Sequence, residues 1–307
     1  MNLSSASLPF AHTFALLFSF LSTSLPFSNI DQRSPSHYHD SMNLTISTPP
    51  RLVLIDLDGT LLKDDKTISP YTLQVLKHCQ QKGILIGFCT SRGNTSIRHL
   101  ITQVQPDIVA TNGGATIQYR DKIIHHQGFT LEETQKLLDK AYQVLGPDCE
   151  ITVDTEDQLY WNRSNNRSVM FHPQALVHDF RHFPHPAMKI CVQTADKTMA
   201  ALIAQAVPHC HSILFSDVPW HTFAPSHATK EAVVHRLSQE LSIPLESIMA
   251  FGDDFNDLGM LATAGWGVAM GNAIPEIKAA ANDVTATNNE DGVAQYLEKL
   301  LQSQGNK

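Results

Sequence analysis

The sequence predicts an α/β protein: a doubly wound, mainly parallel sheet core with an inserted α+β domain. Three observations carry this. Short, uninterrupted apolar runs occur in both the first and last thirds of the chain, as in strands buried on both faces. Helical segments with recognisable ends alternate with them. The middle of the chain changes pattern, to short strand-like segments around two helices. With 307 residues, 42% hydrophobic and 17% charged, the chain suffices for one large or two moderate domains and can bury a sizeable core.

Residues 1–50 stand apart. They are rich in Ser, Leu, Phe and Pro and hold no Lys or Arg before Arg33. Residues 14–21 are apolar enough for a signal-peptide core, but no basic side chain precedes them and the run is too short to span a bilayer. The segment is expected to be a disordered extension, with Met42 as an alternative start.

The pattern sharpens at Arg51. Leu52-Val53-Leu54-Ile55 is the first buried strand. Ser69-Pro70 supplies an N-cap and a proline at the first helical position, and that helix runs to about Lys82 and stops at Gly83. A second strand over 84–89, a helix over 94–104 and a short strand over 108–110 follow. Thr130-Leu131-Glu132-Glu133 is a capping box opening an amphipathic helix that ends near Gly146-Pro147. Segments 150–153, 158–161, 188–193 and 212–215 read as strands, and 196–207 as a helix. After Ala228 the first pattern returns, with a strand over 247–251 and a helix over 254–264. The boundaries drawn are 51–115 with 225–307 for the main domain and 116–224 for the insert.

The formal net charge of −8 gives no general attraction for nucleic acid or anionic membrane, and neither is expected as a partner. A phosphorylated small molecule remains compatible, because a bound divalent cation reverses the local field. The five cysteines (Cys79, Cys89, Cys149, Cys191, Cys210) are odd in number, widely spaced and without C-x-x-C; they are read as reduced, and the location as cytoplasmic. Among the 16 histidines, His172, His178, His182 and His185 crowd a stretch with Pro173, Pro184 and Pro186, read as a solvated loop rather than a metal site. The chain is expected to be a monomer or weak homo-oligomer.

Asp56-Leu57-Asp58-Gly59-Thr60-Leu61 directly follows the first strand. Open α/β sheets bind ligands beyond the carboxyl ends of their strands. Two carboxylates there repel unless a cation intervenes, and oxygen ligands suit Mg²⁺; a plain D-x-D-G surface turn is the competing reading. Thr90-Ser91-Arg92 follows the second strand, where a hydroxyl and backbone amides can hold phosphate or merely cap a helix. Lys230, near a helix start, is either a solvated lysine or a counter-charge to acids and phosphate. Gly252-Asp253-Asp254-Phe255-Asn256-Asp257 again places acids at a strand end, where a helix N-terminus alone would favour them.

Together with Thr111-Asn112-Gly113-Gly114-Ala115, Gly267 to Ala273 and Glu290-Asp291-Gly292-Val293, these motifs resemble the haloacid dehalogenase-like phosphatases, in particular their Cof-like type IIB branch. The resemblance covers roughly residues 51–301. It implies a Rossmann-like core, an inserted cap and a Mg²⁺-dependent phosphatase acting on a small phosphorylated metabolite, a sugar phosphate or a cofactor- or nucleotide-like phosphate. Asp56 would be the nucleophile and Asp58 the acid and base, with its pKa raised by its neighbour. Thr90 would hold the phosphoryl group and Lys230 would neutralise charge. Mg²⁺ would be bound by Asp56, the Asp58 backbone carbonyl, Asp253 and Asp257. Leu57, Ser91, Arg92, Asn112, Gly113 and Asn256 would bind substrate, and Asp254 would point away.

Two other functions use the same scaffold. A phosphotransferase or phosphomutase would need a second basic phosphate site in the insert, for which Arg163, Arg167, Arg181 and Lys189 are candidates. A non-catalytic binding protein would be expected to have lost Asp56, Asp58, Lys230 or Asp253, and all four are present. Substrate choice is assigned to the insert, with Trp161, Asn162, Arg163 and the 172–185 stretch as contacts.

Overall fold

The structure is a computed structural model that describes residues 49–163, 175–215 and 218–305. The N-terminal extension up to residue 48, with Met42, and also Arg167 and His172 lie outside these residues.

In chain order the elements are β1 (Leu52–Ile55), α1 (Pro70–Gln81), β2 (Leu85–Cys89), α2 (Asn94–Val104), β3 (Ile108–Thr111), β4 (Thr116–Tyr119) and β5 (Lys122–His126). Then come α3 (Leu131–Leu145), β6 (Ile151–Asp154), β7 (Leu159–Trp161), β8 (Leu176–Val177), β9 (Lys189–Gln193), α4 (Lys197–Ala204), β10 (Cys210–Leu214) and β11 (Trp220–Pro225). The last run is α5 (Lys230–Glu240), β12 (Ile248–Gly252), α6 (Leu258–Thr263), β13 (Trp266–Ala269), α7 (Pro275–Ala280), β14 (Asp283–Val284) and α8 (Gly292–Gly305).

Eight strands form the larger sheet, in the order β14-β13-β12-β1-β2-β3-β4-β5. It is parallel from β14 to β3 and antiparallel at β4 and β5. β1 sits between β12 and β2, with Ile55 level with both Phe251 and Phe88. All four β1 side chains are fully buried, as their unbroken apolar run requires. From β1 the chain winds outward through β2 and β3, and later returns on the other side as β12. The order therefore reverses between β1 and β12, which opens a crevice at their carboxyl ends. Local chemistry fixes the flanking helices: Ser69 Oγ accepts the Thr72 N–H at the start of α1, and the chain leaves it through Gly83 at φ +82°.

The smaller sheet has the order β10-β11-β9-β6-β7-β8 and is antiparallel except between β7 and β8. Leu137, Leu138 and Ile203 of α3 and α4 join a core with Ile151, Val153, Ile190, Val192 and Phe223. The two-residue period of a strand sends Thr152, Asp154, Lys189 and Cys191 to the opposite face. Thr130 completes its capping box at the start of α3: its hydroxyl accepts the Glu133 N–H, and the Glu133 carboxylate accepts the Thr130 N–H.

Some expectations change. Residues 116–126, which the sequence pattern groups with the insert, form the β4–β5 hairpin at the edge of the larger sheet. Edge strands need no continuous apolar run, and β5 is largely exposed. The helix expected over 254–264 is a 3₁₀ turn over Phe255–Asp257 followed by α6. The described part of the histidine-rich stretch is a loop with His182 and His185 exposed, as expected, but it is partly packed. His178 and His185 pack around Tyr160 and Phe183, with Phe180 fully buried beside them. All five cysteines are free. Among the described residues no helix is long and apolar enough to cross a membrane.

Candidate active site

The β1 strand carries Asp56 to its carboxyl end, where the Asp56 N–H bonds to the Phe251 carbonyl and the residue is 6% exposed. The chain then turns back on itself, with N–H groups of Leu61 and Leu62 bonding to the carbonyls of Asp56 and Leu57. Gly59 makes this turn at φ +74°, and a Cβ on it would collide with the Asp253 carboxylate. Leu57 is fully buried in the hydrophobic core. Its carbonyl is taken, so any substrate contact from Leu57 falls to its N–H.

The neighbouring strand β12 ends in Gly252 and delivers Asp253 and Asp257. Asp257 folds back so that its Oδ2 accepts the N–H groups of Asp253 (2.9 Å) and Asp254 (3.1 Å). Asp254 accepts the Phe255 N–H and caps the short turn. Thr60, from the first motif, donates its hydroxyl to Asp253 Oδ1 at 2.7 Å. Lys230, the first residue of α5 behind its N-cap Thr229, reaches Asp56 Oδ1 at 2.5 Å and Asp257 Oδ1 at 2.6 Å. It is 5% exposed, so this is no solvated lysine.

Oxygens of Asp56, Asp253 and Asp257 lie within 4.8 Å of one another. Burial and the crowding of negative charge around Lys230 shift Asp56 and Asp253. Burial, with the neighbouring acids, pushes the Asp56 carboxyl well above its usual range despite Lys230. Burial and Asp257 push Asp253 up to about 7. Burial opposes charge on Lys230, but Asp257 and Asp56 outweigh it and hold its pKa above the usual lysine range. A set of hard oxygen donors with surplus negative charge fits a divalent cation such as Mg²⁺.

Asp58 lies apart from this trio. Its carboxylate takes a two-pronged contact from Arg92 (2.6 and 2.7 Å) and a third from Lys66 at 2.7 Å. Burial would raise its pKa, but Arg92 and Lys66 outweigh burial and lower it to about 2. The expected rise from a neighbouring carboxylate is therefore corrected: cations, not Asp56, dominate its surroundings. Sequence spacing brings neither Arg92 nor Lys66 to Asp58; the fold does.

The loop after β2 completes the site. Thr90 is buried, and its Oγ1 accepts the Arg92 N–H at 3.1 Å. The Thr90 carbonyl takes the Gly113 N–H and the Arg92 carbonyl takes the Asn112 N–H, which stitches the two motifs together. Asn112 Oδ1 and Thr111 Oγ1 are buried without a hydrogen-bond partner. The Ser91 carbonyl accepts Lys189 Nζ from β9 at 2.6 Å, and Asn256 is half-buried in the turn after β12. Of the candidate basic residues that are described, Arg163 donates to the Asp148 carbonyl, Lys189 pairs with Asp154, and Arg181 is exposed. Among the described residues these three form no second phosphate clamp.

The sequence profile of the haloacid dehalogenase-like hydrolases matches residues 53–297, nearly the whole described chain. The chain belongs to that family. Within it the chain is Cof-like and a phosphoric monoester hydrolase. It is similar to the 5-amino-6-(5-phospho-D-ribitylamino)uracil phosphatase YitU of Bacillus subtilis, with 31% identity over 273 residues, 83% of this chain and 99% of YitU. A putative phosphatase of Haemophilus influenzae is 33% identical over 81% of this chain and 97% of its own. Among solved structures, the haloacid dehalogenase superfamily phosphatase BT1666 of Bacteroides thetaiotaomicron superposes with a TM-score of 0.72 at 23% identity, covering 86% of this chain and 98% of its own. That likeness establishes the shared fold.

Proposed function

We propose that this haloacid dehalogenase-like phosphatase hydrolyses a small phosphorylated metabolite, a sugar phosphate or a cofactor- or nucleotide-like phosphate, in a Mg²⁺-dependent reaction through a phosphoryl group carried on Asp56. The observation that carries this reading is the clustering of the Asp56, Asp253 and Asp257 carboxylates at the carboxyl ends of β1 and β12, with Asp56 and Asp257 paired to the ammonium of Lys230.

Asp56, Asp253 and Asp257, with the Asp58 carbonyl, would hold the cation. When bound, Mg²⁺ supplies positive charge that offsets repulsion between a carboxylate and a phosphate and stabilises the transferring group. Lys230 neutralises the same charge from the protein side. In the first step an Asp56 oxygen attacks phosphorus, the bond to the leaving oxygen breaks, and that oxygen takes a proton from Asp58. In the second, water attacks the phosphorus, gives its proton to Asp58 and frees Asp56 and inorganic phosphate. Splitting the reaction lets a fixed carboxylate do what a free water does slowly. Asp58 held at about 2 has no proton to give, so its role requires it to exchange Arg92 and Lys66 for the leaving oxygen. Thr90 and the amides around it would hold the phosphoryl oxygens, with Ser91, Arg92, Asn112, Gly113, Asn256 and the Leu57 N–H around the substrate. Residues of the smaller sheet would act as the cap that selects it.

The test is a panel of sugar phosphates, nucleotide-like phosphates and the substrate named for YitU, offered to the purified protein with Mg²⁺ or with a chelator. Mg²⁺-dependent release of inorganic phosphate is expected. Phosphate release that a chelator leaves untouched would contradict the reading. Transfer to a second sugar hydroxyl without free phosphate would instead favour a phosphomutase.

A further inference from the structure

Lys189 and Asp154 face each other across β9 and β6, on the side of the smaller sheet away from α3 and α4. They are 8% and 7% exposed and form an ion pair at 3.5 Å. A buried pair of this kind is weak evidence for a stabilising role, because desolvation offsets much of the attraction. Its neighbours are more informative. Lys189 Nζ donates to the Ser91 carbonyl at 2.6 Å, crossing from the smaller sheet to the loop after β2. The Asp154 carboxylate lies against Gly93, where a Cβ would collide with it. Gly93 is the N-cap of α2, a helix with no capping side chain and no acid in its first turn. Asp154 thus brings from another layer the negative charge that this helix end lacks.

The loop held on both sides is the one that matters for phosphate. Thr90 opens it, and Arg92, also within it, grips Asp58. We propose that Lys189 and Asp154 are positioning residues: a two-point clamp by which the smaller layer sets the pose of the Thr90–Gly93 loop. Lys189 fixes the loop by a carbonyl and Asp154 fixes it by the helix start. Seating the smaller layer and ordering the phosphate loop are then a single event. The loop's task rests on the phosphatase reading; the clamp itself does not.

The experiment compares the full-length protein with Lys189→Met, Lys189→Arg, Asp154→Asn and the double variant Lys189→Met/Asp154→Asn. Lys136→Met, on the exposed side of α3, is the control. Two quantities are read: inhibition of turnover by inorganic phosphate, and backbone hydrogen exchange of residues 90–97. Lys189→Met is expected to weaken phosphate inhibition about tenfold, the loss of one charge-assisted contact. It should also speed exchange over 90–97 with little change elsewhere. Lys189→Arg should restore most of both. If Lys189→Met does not fold, the double variant leaves no unpaired buried charge and should give the same two changes. Phosphate inhibition and exchange at 90–97 both unchanged would overturn the proposal. So would faster exchange spread evenly over the smaller sheet with phosphate inhibition intact, which is the mark of a merely structural pair. If the wild type turns over no phosphomonoester, the phosphatase reading fails on its own, and the exchange measurement still decides the clamp.

Discussion

Asp253 and Asp58 lie on either side of the same turn and titrate in opposite directions, one at about 7 and the other at about 2. For Asp253 the folded pKa exceeds the unfolded value of about 3.9. The folded, metal-free protein therefore holds a proton that the unfolded chain releases, and ionising Asp253 destabilises the fold as pH rises toward 7. A cation reverses this, because it binds the carboxylate. Mg²⁺ is expected to raise the melting temperature more at pH 8 than at pH 6, with about 2.7 kcal/mol of stabilisation at a hundredfold excess over Kd. Thermal melts with Mg²⁺ and with a chelator check this, and a shift independent of pH would count against it. The Asp58 contribution has the other sign: it is present above about pH 4 and lost as pH falls toward 2, outside that window. Gly59→Ala is expected to lose the Mg²⁺ shift and on the order of 10²-fold in kcat/KM, because the new methyl collides with Asp253 in a left-handed turn. Steady-state kinetics on the best panel substrate would measure the loss. The acids were legible because they follow the ends of β1 and β12, and Lys230 because it stands near a helix start just before β12. The state of Asp58 was not, because Arg92 and Lys66 reach it only in three dimensions.

At the scale of elements, unbroken apolar runs and caps made β1, β2, α1, α2 and α3 readable to within a residue or two. The β4–β5 hairpin and β11 lacked that signal: β5 is mostly exposed, and β11 mixes Trp220, His221 and Thr222 with apolar residues. The break between the turn at Phe255–Asp257 and α6 was hidden for a different reason. It comes from the Asp257 side chain folding back onto two amides, which propensity cannot anticipate. Caps that serve only a helix should be separable from function. Thr130→Ala removes the hydroxyl half of the α3 box. It is expected to cost about 1 kcal/mol in urea denaturation while leaving kcat and KM unchanged. A large kinetic effect would tie α3 to the site more closely than its position suggests.

For the whole molecule, the sequence pattern told of two sheets but not of how they meet. The contact from Lys189 to Ser91 joins residues 98 apart in sequence, and no spacing rule announces it. What the larger sheet does is plainer. By winding out from β1 and returning as β12, it gathers Asp56, Asp253, Asp257 and Lys230 from distant parts of the chain into one buried cluster. Everything proposed for this cluster turns on Asp56 forming a bond to phosphorus. The most direct test is the intact mass of protein quenched with acid during turnover, for the wild type, Asp58→Ala and Asp56→Asn. Asp56→Asn keeps the side chain's size, so it should fold, and it should lose at least on the order of 10²–10⁴-fold in rate. A nucleophilic Asp56 predicts one added phosphoryl group on the wild type, or trapped on Asp58→Ala with a substrate whose leaving group needs no proton, and none on Asp56→Asn. A phosphoryl group on Asp56→Asn mapped to another residue, or full activity of that variant, would contradict it.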